Sequence, residues 1–249
     1  MTGNEYTTKN VDWSELEAIT FDVDANLYNY PRMMIPRLWK WGWYVRFLMH
    51  LTKARQIIRK EEPPKDFRKR QAEIIADLCY WLDTDQAYKK TEKVLYNGWN
   101  VDFKTVKPYE GTHEFIQKAV DNNIKIAVVT DYPPHKKLEY MGFKDYPWTT
   151  IVECEELGIL KPAPEPFLAA LEAFDLKDSP ERVMHIGDSY NYDVKGASRV
   201  GMKTAWLRRK WRFSKMPWGE EDLDKITPDV IFKDWDELGR EMERLCGWK

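Results

Sequence analysis

Two aspartates separated by a single residue, Asp22 and Asp24, follow the apolar run Ala18 to Phe21 in the stretch AITFDVDANLY. Carboxylates at the end of a buried strand are costly unless something pairs with them. Three later apolar runs, or the loops after them, end in polar groups of complementary kinds. These are Thr130 and Asp131 in IKIAVVTD, Lys161 in GILKPAPEPF, and Asp188 with Asp193 in GDSYNYD. Asp22, Asp24 and Asp188 brought to one place would repel one another, and a hard divalent cation resolves that repulsion. Mg²⁺ favours a few carboxylate oxygens together with waters and a phosphate oxygen. One lysine and one hydroxyl then supply what a phosphoryl group needs for charge balance and positioning. Taken singly, each motif has an ordinary structural reading: a strand-terminating turn for Asp-x-Asp, a helix cap for Thr130, a surface lysine, a tight turn at Gly187-Asp188. Their order and spacing favour the chemical reading. Thr130 lies 108 residues after Asp22, Lys161 31 further on and Asp188 27 beyond that. The last two intervals suit successive strand–helix units, and the first suits one carrying an insertion.

The elements that must position these groups are legible as apolar, β-branched runs: AITFD, IKIAVVTD, RVMHIGD, KTAWL and DVIF. Helical patterns follow at GTHEFIQKAVDNN, EPFLAALEAF, YDVKGASRVG and WDELGREMERL. Strands alternating with helices at this spacing predict βαβ units and a mainly parallel sheet. In such sheets ligands sit beyond the carboxyl ends of the strands. Between Tyr28 and about Thr105 the chain changes character and reads helical almost throughout, as in WYVRFLMHLTKARQIIRK and FRKRQAEIIADLCYWL. KPYEG, at residues 107–111, marks the return to the α/β pattern.

A chain of 249 residues with 43% hydrophobic and 32% charged residues suits a large α/β domain or a core with a modest second domain. Three cysteines without CxxC spacing and four histidines without HxH or HExxH spacing argue against a zinc site or histidine-based hydrolase. The opening MTGNEYTTKN does not read as a signal peptide, and no long apolar run suggests a membrane span. A cytoplasmic location is therefore expected. The net charge of −2 is unevenly spread: residues 32–70 hold twelve Lys or Arg against three acidic residues, a local excess of +9. Such asymmetry suits either an anionic partner or a solvated helix face. No DNA-binding motif appears, so nucleic acid is not expected as a partner.

The four motifs FDVDANL, VVTD, ILKPAPEPF and IGDSYNYD resemble, in order, those of the haloacid dehalogenase-like (HAD) hydrolase superfamily. The resemblance covers roughly residues 11–27 and 105–235. It implies a Rossmann-like parallel α/β core, residues 1–27 and 105–249, with a C1-type helical cap inserted at 28–104. It further implies that Asp22 is the nucleophile and Asp24 the general acid and then base. Mg²⁺ would be held by Asp22, the Asp24 backbone carbonyl and Asp188, with Asp193 acting directly, through water or through Lys161. Thr130, Asp131 and Lys161 fall at the phosphoryl-holding positions. Members that displace halide from carbon need neither the second acid nor the metal-binding fourth motif, so phosphoryl transfer is expected. Three positions depart from the common pattern: Ala25 for Gly, Asn26 for Thr, and Asp131 for Asn.

The implied activity is a Mg²⁺-dependent phosphatase for a small phosphorylated metabolite. A phosphomutase-like phosphoryl transferase remains open as an alternative, and so does a scaffold that binds anionic surfaces through the basic cap. Trp39, Trp41, Trp43 and Tyr44 could stack a base or a sugar or could form cap core. A membrane-surface role is not expected, because a cap helix needs the same amphipathicity to pack. Oligomeric state is left open.

Overall fold

The computed structural model describes residues 12–29, 42–97, 104, 106–208 and 226–249. Strand β1 (Ala18–Phe21) has every side chain buried, the pattern of a strand covered on both faces. It is joined by β2 (Lys125–Thr130), β3 (Trp148–Glu153), β4 (Val183–Gly187), β5 (Lys203–Leu207) and β6 (Val230–Phe232). Together they form a six-stranded sheet in the order β3-β2-β1-β4-β5-β6, with every pairing parallel. This is the expected Rossmann-like α/β core. Phe21 lies opposite Val128 of β2 on one side and Ile186 of β4 on the other. The chain winds outward in both directions from β1, so the crevice beyond its carboxyl end is the topological switch point of the sheet. Asp22 and Asp24 leave the sheet there.

Helices α1 (Gly42–Ile58), α2 (Phe67–Leu78) and α3 (Thr84–Thr91) follow β1. Asp66 caps α2 by accepting from the Lys69 backbone N–H, and Asp83 with Gln86 forms a reciprocal capping box on α3. The chain then comes back beside the point where it left. Tyr28 pairs with Pro108 in an antiparallel bridge, and the Tyr109 N–H donates to Leu27 O at 2.9 Å.

The remaining helices are α4 (Thr112–Asp121), α5 (His135–Tyr140), α6 (Glu165–Phe174), α7 (Lys195–Arg199) and α8 (Trp235–Cys246). Successive strand residues face opposite sides of the sheet, and the packing follows. Phe21 meets Phe115 of α4 and Trp235 of α8, at 6.3 and 6.2 Å between ring centroids. On the other face His185, paired in register with Thr20, carries the ring of Phe167 from α6 at 5.0 Å. Burying rings of this size contributes about 1.5–3 kcal/mol each.

The structure adds one strand and one helix that the sequence patterns did not suggest, β3 and α5. The expected helix at YDVKGASRVG opens as a π-helical turn, Tyr190–Val194, before α7 begins. Much of the basic charge in the inserted helices is paired within the protein: Arg55 with Glu155, Arg59 with Asp131, Arg68 with Glu92, and Arg70 with Glu61 and Glu73. Trp39 and Trp41, and the side chains of Trp43 and Tyr44, lie outside the described residues. No helix among the described residues is long and apolar enough to cross a membrane.

Candidate active site

The turn that carries the two aspartates is tied to the sheet. The Asp22 N–H donates to Ile186 O at 2.9 Å. The buried Asn26 amide donates to Asp22 O at 3.0 Å and to Ile186 O at 3.2 Å, stitching the ends of β1 and β4 together. Ala25 sits between them at φ 65°, in the left-handed region that a glycine occupies at no steric cost and other residues do not.

Lys161, 2% exposed, is the hub of the site. Its Nζ donates to Asp22 Oδ1 at 2.7 Å, Asp193 Oδ1 at 2.6 Å and Val129 O at 3.2 Å. Burial works against the ammonium, yet Asp193 and Asp22 together hold it well above the usual lysine range. Asp193 reaches the site from the π-helical turn. Its Oδ2 accepts from the Ser189 N–H at 2.9 Å, and its Oδ1 lies 3.2 Å from His185 Nε2. Burial acts to raise the Asp193 carboxyl, but Lys161 and His185 outweigh it and hold the group below the usual carboxylate range. Burial also holds the His185 imidazole below its ordinary value. A Cβ on Gly187 would stand 2.3 Å from the Asp193 carboxyl carbon, so only glycine lets this carboxylate come so close to β4.

Asp22, Asp188 and Asp193 each place a carboxylate oxygen within 4.8 Å of the others. Burial pushes Asp22 well above the usual carboxylate range, against the pull of Lys161. Burial and the charge of Asp193 push Asp188 up to about 8. Both shifts come first from burial, which disfavours the charged form, and then from the neighbouring carboxylates. Three carboxylates against one ammonium leave two negative charges, all on hard oxygen donors. That donor set fits a divalent cation of the Mg²⁺ type.

The Asp24 carboxylate is held apart from this group. Lys137 Nζ donates to both of its oxygens at 2.6 Å, and the Tyr28 hydroxyl donates to Oδ1. Thr130 ends β2 with its hydroxyl buried and without a hydrogen-bond partner among the described residues. A buried hydroxyl left in this way is costly and is suited to an incoming oxygen. Asp131 has partners on both oxygens: Oδ1 accepts from the Lys161 N–H at 3.0 Å, and Oδ2 pairs with Arg59.

All seven residues expected from the sequence therefore lie around one crevice at the carboxyl edge of the sheet. Lys137, Tyr28, Arg55, Arg59 and His185 were not foreseen. Lys137 had one available signal, its position in the first turn after a strand-end Thr-Asp pair, but HKK there reads equally as a solvated helix face.

A haloacid dehalogenase-like hydrolase family model matches residues 17–201. The chain is a member of that family. Among its relatives are pyrophosphatase PpaX of Halalkalibacterium halodurans, 28% identical over 54% of this chain and 60% of its own length. Another is a glyceraldehyde 3-phosphate phosphatase of Methanopyrus kandleri, 28% identical over 51% of this chain and 54% of its own length. The chain thus spans a little over half the length of these two relatives. The putative HAD-hydrolase YfnB of Bacillus subtilis, solved bound to magnesium, shares the fold with a TM-score of 0.63 at 19% identity, over 92% of this chain and 98% of its own.

Proposed function

We propose that the chain is a cytoplasmic, Mg²⁺-dependent phosphatase acting on a small phosphorylated metabolite through an aspartyl-phosphate on Asp22. The observation that carries this reading is the gathering of Asp22, Asp188 and Asp193 around Lys161, with Asp24 kept separate by Lys137. It is supported by relatives named for phosphatase and pyrophosphatase activity. The carboxylates of Asp22, Asp188 and Asp193 and the backbone carbonyl of Asp24 would hold Mg²⁺. The ion's chemistry is to neutralise charge on the phosphoryl oxygens so that an anionic nucleophile can approach.

The Asp22 carboxylate attacks phosphorus and forms the acyl phosphate. Asp24 gives a proton to the leaving oxygen, then takes one from the water that hydrolyses the acyl phosphate. Lys137 and Tyr28 fix the orientation of its carboxylate meanwhile. The Thr130 hydroxyl and the Lys161 ammonium hold phosphoryl oxygens. Residues 28–104 act as a helical cap over a core of residues 1–27 and 105–249 and exclude water during transfer.

The test is phosphate release from p-nitrophenyl phosphate with Mg²⁺. Turnover should disappear both with EDTA and in Asp22→Asn. Activity that survives in Asp22→Asn would sink the aspartyl-phosphate mechanism.

A further inference from the structure

Arg55 lies in the last turn of α1 and Arg59 directly follows its end, where the Arg59 N–H still donates to Arg55 O at 3.1 Å, so the two side chains leave one face. Both turn that face to the two core loops that carry Thr130 and Lys161. Arg55, 1% exposed, donates from Nη2 to Asp131 O at 2.6 Å. Its Nη1 donates to Glu155 Oε1 at 2.5 Å and Gln71 Oε1 at 3.2 Å, and its guanidinium lies 3.8 Å from the Tyr132 ring centroid. Arg59 donates from Nε to Lys161 O at 2.7 Å, pairs through Nη2 with Asp131 Oδ2, and lies 4.1 Å from the Tyr192 ring centroid. Asp131 Oδ1 in turn takes the Lys161 N–H. The backbone carbonyls of residues 131 and 161 are thus both held from the C-terminal end of α1 and the residue after it, and the Asp131 side chain joins the two loops beneath.

We propose that Arg55 and Arg59 are positioning residues for the phosphoryl subsite, with Asp131 as their anchor in the core. The inference rests on the phosphatase reading of the same site and deepens it. Thr130 is the residue before Asp131, and the Lys161 carbonyl held by Arg59 belongs to the residue whose ammonium reaches Asp22. When α1 is seated, the two guanidinium groups set the separation of the Thr130 hydroxyl from the Lys161 ammonium. When α1 is displaced, both loops lose their outer restraint together. Asp131, where the family pattern commonly has Asn, is explained by this arrangement. An amide could accept from Arg59 or from the Lys161 N–H, but it could not present two charged oxygens to both. The departure serves the helix that covers the site, and substrate need not touch it.

A displacement of about 1 Å at a reacting centre costs on the order of 100-fold in rate. Arg59 is the better probe because it is partly exposed and touches no catalytic carboxylate. The experiment compares wild type, Arg59→Ala, Arg59→Lys, Asp131→Asn and the double variant Arg59→Ala/Asp131→Asn. It reads kcat and KM on p-nitrophenyl phosphate with Mg²⁺, and the affinity for inorganic phosphate by titration calorimetry.

Arg59→Ala should raise KM and weaken phosphate binding by about tenfold or more, with Arg59→Lys falling between it and wild type. The double variant should be no worse than the poorer single variant, as for residues acting as one unit. A simple loss of folded protein would lower kcat and leave KM and the phosphate affinity in place, which would overturn the proposal. So would changes within twofold throughout, or additive losses in the double variant. Phosphate binding that depends on Arg59 in a wild type with no turnover would overturn the phosphatase reading and support the positioning role. A wild type that neither turns over nor binds phosphate would overturn both.

Discussion

Replacing Lys161 with methionine keeps most of the length of the side chain and removes one charge from the centre of the site. Asp22, Asp188 and Asp193, with oxygens within 4.8 Å of one another, are left without their shared cation. At an effective dielectric constant of about 20, two unit charges at that distance repel by about 3.5 kcal/mol. Protonation of one carboxyl relieves part of this. Breaking a buried ion pair by removing one partner costs about 3–5 kcal/mol, and the same range is expected here in EDTA. Against a total stability of about 5–15 kcal/mol that is a large loss. For a chain of this size it corresponds to a fall in Tm of about 6–20 °C. Mg²⁺ should offset more of the loss in the variant, because there it meets the three carboxyl groups without the Lys161 ammonium that partly balances them in the wild type. Millimolar Mg²⁺ should therefore raise the variant's Tm by more than it raises that of the wild type. Differential scanning calorimetry of both proteins with EDTA and with Mg²⁺ reads all four values. A variant that melts within 2 °C of wild type in EDTA, or equal Mg²⁺ shifts in the two proteins, would refute the charge balance described here.

Two further outcomes follow from buried groups elsewhere. Arg55→Met should lower stability by about 3–5 kcal/mol in urea unfolding, since it leaves the buried Glu155 carboxylate with the Tyr96 hydroxyl in place of an ion pair. Adding Glu155→Gln should recover part of that loss, and strictly additive costs would count against the pair. Burial pushes the Cys246 thiol up to about 11, so at pH 8 only about one molecule in a thousand carries the thiolate that reacts. Its alkylation by iodoacetamide, followed by mass spectrometry on the folded protein, should rise about tenfold per pH unit from pH 7 to 9. A rate that levels off near pH 8.5 would contradict this environment.

The strand ends were legible in the sequence because their signal is local: an apolar run, then a carboxylate or hydroxyl where the run stops. Asp22, Thr130 and Asp188 all have that form, and the sheet places them at one edge. β3 lacks it. WTTIVE is an edge strand with half its residues only partly buried, so it shows no continuous apolar run. Lys137, Arg55 and Arg59 were hidden for a different reason. Each lies on a helix or directly at its end among other lysines and arginines, where a charge that turns inward cannot be told from one facing water. The excess of positive charge in residues 32–70 was visible, but the partners of Arg55 and Arg59, Glu155 and Asp131, lie more than seventy residues away. The direction of a long-range ion pair is a property of the fold and leaves no local pattern.

The position of β1 has a consequence for how the protein is made. Ala18 pairs with Lys125 and with Val183, so the central strand is synthesised first and both of its neighbours arrive more than a hundred residues later. At a ribosomal rate of about 5–20 residues per second, an apolar strand waits many seconds for either partner. Its folding cannot begin from its own neighbourhood and must await closure of a long loop, a slow route to a sheet. The inserted helices make mainly local contacts and can form during that interval. The nascent chain thus presents a helical unit beside a strand whose edges are both still unpaired.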